Sequence, residues 1–177
     1  PMDAQNLALE KAIASFDRTH RLSFSWSYEL PFGKGRRFLR GASGAGNLLA
    51  GGWQVNGITS ISGGSPFPIA LNTLVSGSNG FTERPNRVGQ GTLARDQRTV
   101  ERYFDLSAFA IPAVATFGNG GRNILRAPGS VNFDFSALKY FHLTERFVLQ
   151  YRAEFFNIFN TPQFGLPNGS IGAPAAG

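Results

Sequence analysis

Two carboxylates and two histidines are the side chains of this sequence best suited to chemistry. Asp134 and Glu154 invite a general acid and base pair, which needs two carboxyls held close with their proton affinities pushed apart. His20 and His142 invite a metal, yet neither has a second histidine or an acidic residue at ligand-like spacing. The cluster Asp17, Arg18, His20 and Arg21 reads more simply as the wet entrance to a strand. The runs "GASGAGN" and "FGNGGRN" lack the lysine and hydroxyl of a phosphate-binding loop, and neither clearly joins a strand to a helix, so turn structure accounts for them. "NGS" at Asn168 matches a glycosylation acceptor in form only and is read as an ordinary loop. No enzymatic activity, cofactor or metal is expected.

What Asp134 and Glu154 do depends on the segments that carry them. In "FVLQYRAEFFNIFN", Phe147, Leu149, Tyr151, Ala153 and Phe155 alternate with Val148, Gln150, Arg152, Glu154 and Phe156. A period of two makes one side wholly apolar, whereas a helix would scatter Arg152 and the aromatics around its circumference. The segment is therefore a strand. The same alternation recurs in "HRLSFSWSYEL", where Leu22, Phe24, Trp26, Tyr28 and Leu30 oppose Arg21, three serines and Glu29. In "GWQVNGITSIS", Trp53, Val55, Gly57, Thr59 and Ile61 oppose Gln54, Asn56, Ile58, Ser60 and Ser62. In "VNFDFSALKYF", Phe133, Phe135, Ala137 and Phe141 oppose Asn132, Asp134 and Ser136, with Lys139 and Tyr140 blurring the end. Four strands near 19–30, 52–62, 131–141 and 146–159 organise the chain, with a long loop over 63–129. The class is all-β and antiparallel.

A hydrophobic content of 42% would supply a core if those residues were clustered. They are not, and a connection as long as Gly63 to Gly129 is uncommon in a compact soluble domain. No run approaches the roughly 18 consecutive apolar residues of a membrane helix. Transmembrane strands escape that test, because only alternate residues touch lipid. Zero cysteines exclude a disulfide framework and a thiolate metal site. The start at "PMDAQNLALE", without a signal-peptide pattern, and the finish in "GSIGAPAAG" lead us to expect a piece of a longer chain. The net charge of +6 is spread over Arg84, Arg87, Arg95, Arg98, Arg102, Arg122 and Arg126. Nucleic acid would call for a concentrated basic face, so it is not an expected partner. These arginines are expected to be solvated, paired with Glu83, Asp96, Glu101 or Asp105, or set against anionic lipid headgroups.

Connection lengths suggest a direction. "PFGKGRR" with the glycine-rich run after it, and "HLTER", are short beside the stretch 63–129. Outer-membrane barrels have short periplasmic turns and long external loops. Arg152 then decides the register, since a cation facing lipid near the midplane costs about 2–4 kcal/mol. Gln54, Asn56, Asp134, Ser136, Gln150, Arg152 and Glu154 are expected to face the lumen. Phe24, Trp26, Trp53, Val55, Phe133, Phe135, Leu149, Tyr151 and Phe155 are expected to face lipid, with Trp53, Tyr28 and Phe141 serving as interfacial girdle. Lys139 is expected to snorkel at the periplasmic rim. A lumen lined by Asp134 and Glu154 is then a charged wall that contacts a plug.

From Asp17 to Gly172, the phrases "FDRTHRLSFSWSYELPFGKGRRF", "LLAGGWQVNGITSISGGSPF", "YFDLSAFAIP", "TFGNGGRNILRAPG" and "LQYRAEFFNIFNTPQFG" occur in that order. Together they resemble the C-terminal barrel region of TonB-dependent receptors, most closely the Oar-like group of Acidobacteria with a carboxypeptidase-regulatory-like N-terminal domain. The resemblance implies a transmembrane β-barrel of about 22 strands, closed by a plug, of which this chain holds about four strands and one long extracellular loop. Plug, TonB box and final strand lie outside these residues. It implies the outer membrane of a Gram-negative bacterium, contact with its lipid and lipopolysaccharide, and the TonB complex as a partner through the missing parts. The expected role is barrel wall and external mouth of a transporter for a large or scarce solute of unknown identity. "YFDLSAFAIP" is expected to fold back onto the barrel rim. The alternative is a soluble or surface-displayed β-sandwich, binding carbohydrate or serving adhesion, in which a second sheet covers the aromatic face.

Overall fold

The structure is a computed structural model that describes residues 2–77 and 82–173. Pro1 and the last residues of the closing "GSIGAPAAG" run lie outside the described residues. In chain order the strands are β1 (Arg21–Glu29), β2 (Trp53–Ser62), β3 (Pro66–Phe67), β4 (Ala70–Leu71), β5 (Asn86–Arg87), β6 (Phe109–Ala110), β7 (Leu125–Arg126), β8 (Ser130–His142), β9 (Val148–Phe155) and β10 (Ser170–Ile171). One α-helix among the described residues, α1 (Gly44–Ala50), interrupts the connection from β1 to β2. The chain forms two compact units: residues 20–62 with 130–163, and residues 1–19 with 63–129 and 164–177.

The first unit is a four-stranded antiparallel sheet in the order β1-β2-β8-β9, with β1 and β9 at its edges. Within the described residues it does not close into a barrel. Register follows the alternation. Trp26 pairs with Gly57, Gly57 with Phe135, and Phe135 with Phe155, so the apolar sides of all four strands share one face of the sheet. Gly57 is the small member that lets the Trp26 indole lie flat over the sheet. A Cβ there would stand 2.5 Å from the indole ring.

The second unit builds its own core from segments that show no alternation. Phe67, Ile69, Phe104, Ala108, Phe109, Leu125 and Ala127 are buried together, with Phe104 touching Phe67 and Phe109 at ring-centroid distances of 6.0 and 5.9 Å. Two-residue ladders join β3 to β7 and β5 to β6 antiparallel, and β4 to β10 parallel. The stretch 63–129 is thus more than the simple loop read from the sequence. Phe104 and Phe109 of "YFDLSAFAIP" are buried in this core. The glycines of "FGNGGRN" are a close-packing strip: a Cβ on Gly118 would stand 2.0 Å from the Arg84 carbonyl oxygen.

Polar clips fasten the N-terminal segment to 63–129. Arg84 donates to Glu10 at 2.6 Å, Arg126 to Asp17 at 2.6 Å, and Asn123 to the Ile13 carbonyl at 2.7 Å. This corrects two expectations. Asp17 belongs to a clip, not to a strand entrance, and Arg84 takes Glu10 as its partner, not the adjacent Glu83. The Glu83 carboxylate instead gathers the amides of Val75 and Ser76 and the Ser76 hydroxyl. Asn168 of "NGS" closes a local turn by accepting from the Ser170 amide at 3.1 Å.

Candidate functional site

The four-stranded sheet presents two chemically opposite faces, and these are the candidate functional surfaces. Strand register places Phe24, Trp26, Trp53, Val55, Phe133, Phe135, Leu149, Tyr151 and Phe155 on one face. Aromatic pairs run across it: Trp26 with Phe135 at 6.4 Å, Phe135 with Phe155 at 6.3 Å, and Trp53 edge-on to Tyr151 at 5.9 Å. Phe133 meets Phe159, just beyond the end of β9, at 5.0 Å. This face is bare, with Phe24 56%, Leu149 55% and Phe155 50% exposed. A contiguous apolar surface of this kind demands a nonaqueous partner.

The opposite face carries Gln54, Asn56, Asp134, Ser136, Gln150, Arg152 and Glu154. Some of these meet. Gln54 donates to Ser27 at 2.8 Å and to Asn56 at 2.9 Å, and Asn56 donates to Ser136 at 3.2 Å, a ladder across β1, β2 and β8. Arg152 and Glu154 pair along β9 at 3.6 Å, while Gln150 donates to the Tyr140 hydroxyl at 3.2 Å. Asp134 turns away to accept from the Asn157 amide at 2.9 Å, where the chain leaves β9. Asp134 and Glu154 therefore have separate partners, the Asn157 amide and Arg152. Leu138 is the apolar intruder, buried between Gln54 and Arg152 in register. Among the described residues no three His, Asp or Glu side chains gather as metal ligands.

Lys139 is the residue whose role the alternation hid. Its parity puts it on the apolar face, opposite Trp53 and Tyr151. The ammonium reaches the end of α1, where Nζ donates to the carbonyls of Leu49, at 3.0 Å, and Gly51. It also lies over the rings of Trp53 and Phe141, at 5.1 and 5.2 Å. The lysine expected to snorkel at the rim is instead sealed, only 2% exposed. The available signal was "NLLAGG": a helix ended by glycines leaves carbonyls that a lysine can cap. Replacing Lys139 by methionine keeps the stem and strands the Gly51 carbonyl, while the Leu49 carbonyl keeps the Trp53 indole N–H at 2.9 Å. Loss of about 1–3 kcal/mol is expected, read as a lower urea midpoint, whereas arginine should restore part of it.

A family described as "Outer membrane beta barrel domain" matches residues 1–177. No curated protein and no solved structure matched the chain.

Proposed function

Because the chain belongs to the outer membrane beta barrel domain family and so resides in the outer membrane, we propose that its sheet is a stretch of the wall of a TonB-dependent receptor of the Oar-like type. Residues 63–129 then shape the external mouth that captures a large or scarce solute. The observation that carries the reading is the pair of opposite faces on one four-stranded sheet whose edge strands are open. Lipid satisfies the bare aromatic face without a second sheet. The polar ladder and the Arg152–Glu154 pair belong in a hydrated lumen, where an ion pair this exposed contributes little stability and serves to keep the wall wet and tolerant of a plug. The open edges of β1 and β9 need neighbouring strands, since unpaired backbone groups are not tolerated in hydrocarbon.

Transport by this protein is tested by reading its gene outward from both ends of these residues. A signal peptide, a plug with a TonB box and a final strand ending in an aromatic residue are expected. An open reading frame confined to these residues would sink the transporter reading.

A further inference from the structure

We propose that the connection between β1 and β2 is a binding site for the phosphodiester headgroup of an anionic phospholipid. The inference rests on the barrel-wall reading above. Residues 31–38 close on themselves: Gly33 N–H donates to the Phe38 carbonyl at 3.0 Å, Phe38 N–H to Pro31 at 2.9 Å, and the rings of Phe32 and Phe38 meet at 5.5 Å. Asn47 of α1 locks this loop by accepting from the Lys34 amide at 2.7 Å. Lys139 fixes the other end of α1 through the Leu49 and Gly51 carbonyls. The scaffold is therefore anchored at both ends.

On it stand Lys34, Arg36, Arg37 and Arg40, with Glu29 the carboxylate that pairs with one of them, at 2.9 Å from Arg36. Both members of that pair are more than half exposed, so it holds Arg36 weakly. Interleaved with the cations are exposed apolar residues, Phe38, Leu39, Leu48 and Leu49, the last of them 70% exposed. A cavity of about 330 Å³ opens among Phe32, Lys34, Arg36, Leu48, Tyr140 and His142. Guanidinium groups bind phosphate oxygens bidentately, and basic residues beside exposed leucine and phenylalanine are what an anionic headgroup and the top of its acyl chains select. Both short connections of the sheet lie at this end, the periplasmic side of the proposed wall, where the leaflet is phospholipid. That commits the site to phospholipid over lipopolysaccharide.

Two tryptophans, Trp26 and Trp53, make the test direct. Trp53 donates its indole N–H to the Leu49 carbonyl at 2.9 Å and so reports from α1, while Trp26 reports from the middle of the apolar face. The full-length protein, with every tryptophan outside these residues replaced by phenylalanine, is reconstituted in phosphatidylcholine vesicles doped with headgroup-proximal brominated phosphatidylglycerol or with equally brominated phosphatidylcholine. In Trp26→Phe, the phosphatidylglycerol should quench Trp53 several-fold more strongly. Combined Lys34→Gln, Arg37→Gln and Arg40→Gln should abolish the preference, and Lys34→Arg, Arg37→Lys and Arg40→Lys should keep it. Equal quenching by the two lipids, a preference that survives the glutamine variant, or stronger displacement by lipid A than by phosphatidylglycerol would overturn the proposal. In Trp53→Phe, acyl-chain-brominated phosphatidylcholine should quench Trp26. Quenching there without a headgroup preference at Trp53 defeats the site and leaves the wall reading standing, whereas no quenching of Trp26 defeats both.

Discussion

Replacing Phe135 by arginine is expected to destabilise the sheet by about 2–4 kcal/mol if the proposed wall holds, that being the cost of a cation facing lipid near the bilayer midplane. Phe135 sits halfway along β8, opposite Gly57 on one side and Phe155 on the other. Its ring also contacts Trp26 and Phe155, and losing those pairs adds roughly 0.5–1.5 kcal/mol each. The control is Ser60→Arg, on the opposite face of the neighbouring strand beside Ser23 and Asn132. There the guanidinium enters a polar surface, and the change should stay within about 0.5 kcal/mol. Urea titration of the protein in phospholipid vesicles, followed by tryptophan emission, gives both numbers. The comparison discriminates because a water-facing sheet predicts the reverse order: arginine would then relieve an exposed apolar patch. Equal effects at the two positions would remove lipid as the partner of the aromatic face.

The all-β, antiparallel character of the chain was legible because a period of two survives any detail of packing. Phe24, Gly57, Phe135 and Phe155 each lie on the apolar side of their own strand, and burying that side selects the register that gathers them on one face. Lys139 shows where parity stops being informative. A long side chain rooted on the apolar face can end in another environment, and the carbonyls it reaches are those of Leu49 and Gly51, distant in sequence. The helix that supplies them is too short to show a periodic stripe, so "GASGAGN", whose last four residues open it, reads as turn structure.

The unit built from 1–19, 63–129 and 164–177 was hidden for a different reason. Its strands are two residues long, and two residues have no period. Phe67, Phe104 and Phe109 carry no mark distinguishing them from aromatics bound for lipid, and only their packing reveals a core. Its ion pairs are equally opaque. Arg102 does take the nearby Asp105, at 3.8 Å, but Glu10 and Arg84 are 74 residues apart and Asp17 and Arg126 are 109 apart, beyond any local guess. For Asp134 and Glu154, the strand pattern puts both on one side, but a side alone does not say that Asn157 and Arg152 claim them separately.

The Glu10 clip should make this unit acid-sensitive in a defined window. Its carboxyl is lowered from 4.5 to about 2, chiefly by the hydrogen bond from Arg84 and then by the Met2 amide at 3.1 Å. Arg84 is nearly buried, its side chain 7% exposed against 21% for Glu10, so water screens the pair only in part. A carboxyl with a depressed folded-state pKa contributes its full stabilisation above the unfolded value, near pH 4.5. The contribution falls as pH drops from there and is gone below about 2. Its size is on the order of 3 kcal/mol, at roughly 1.4 kcal/mol per pKa unit. Amide hydrogen exchange of Lys11 and Asp17, both hydrogen-bonded inside the N-terminal segment, measures it. In the parent chain their protection should be flat from pH 7 to about 5 and then decline. Glu10→Gln should start lower by an amount of that order, since it leaves the Arg84 charge buried without a counterion, and should be indifferent to acid over the same range. Identical acid profiles in parent and variant would mean that another carboxylate holds the segment down.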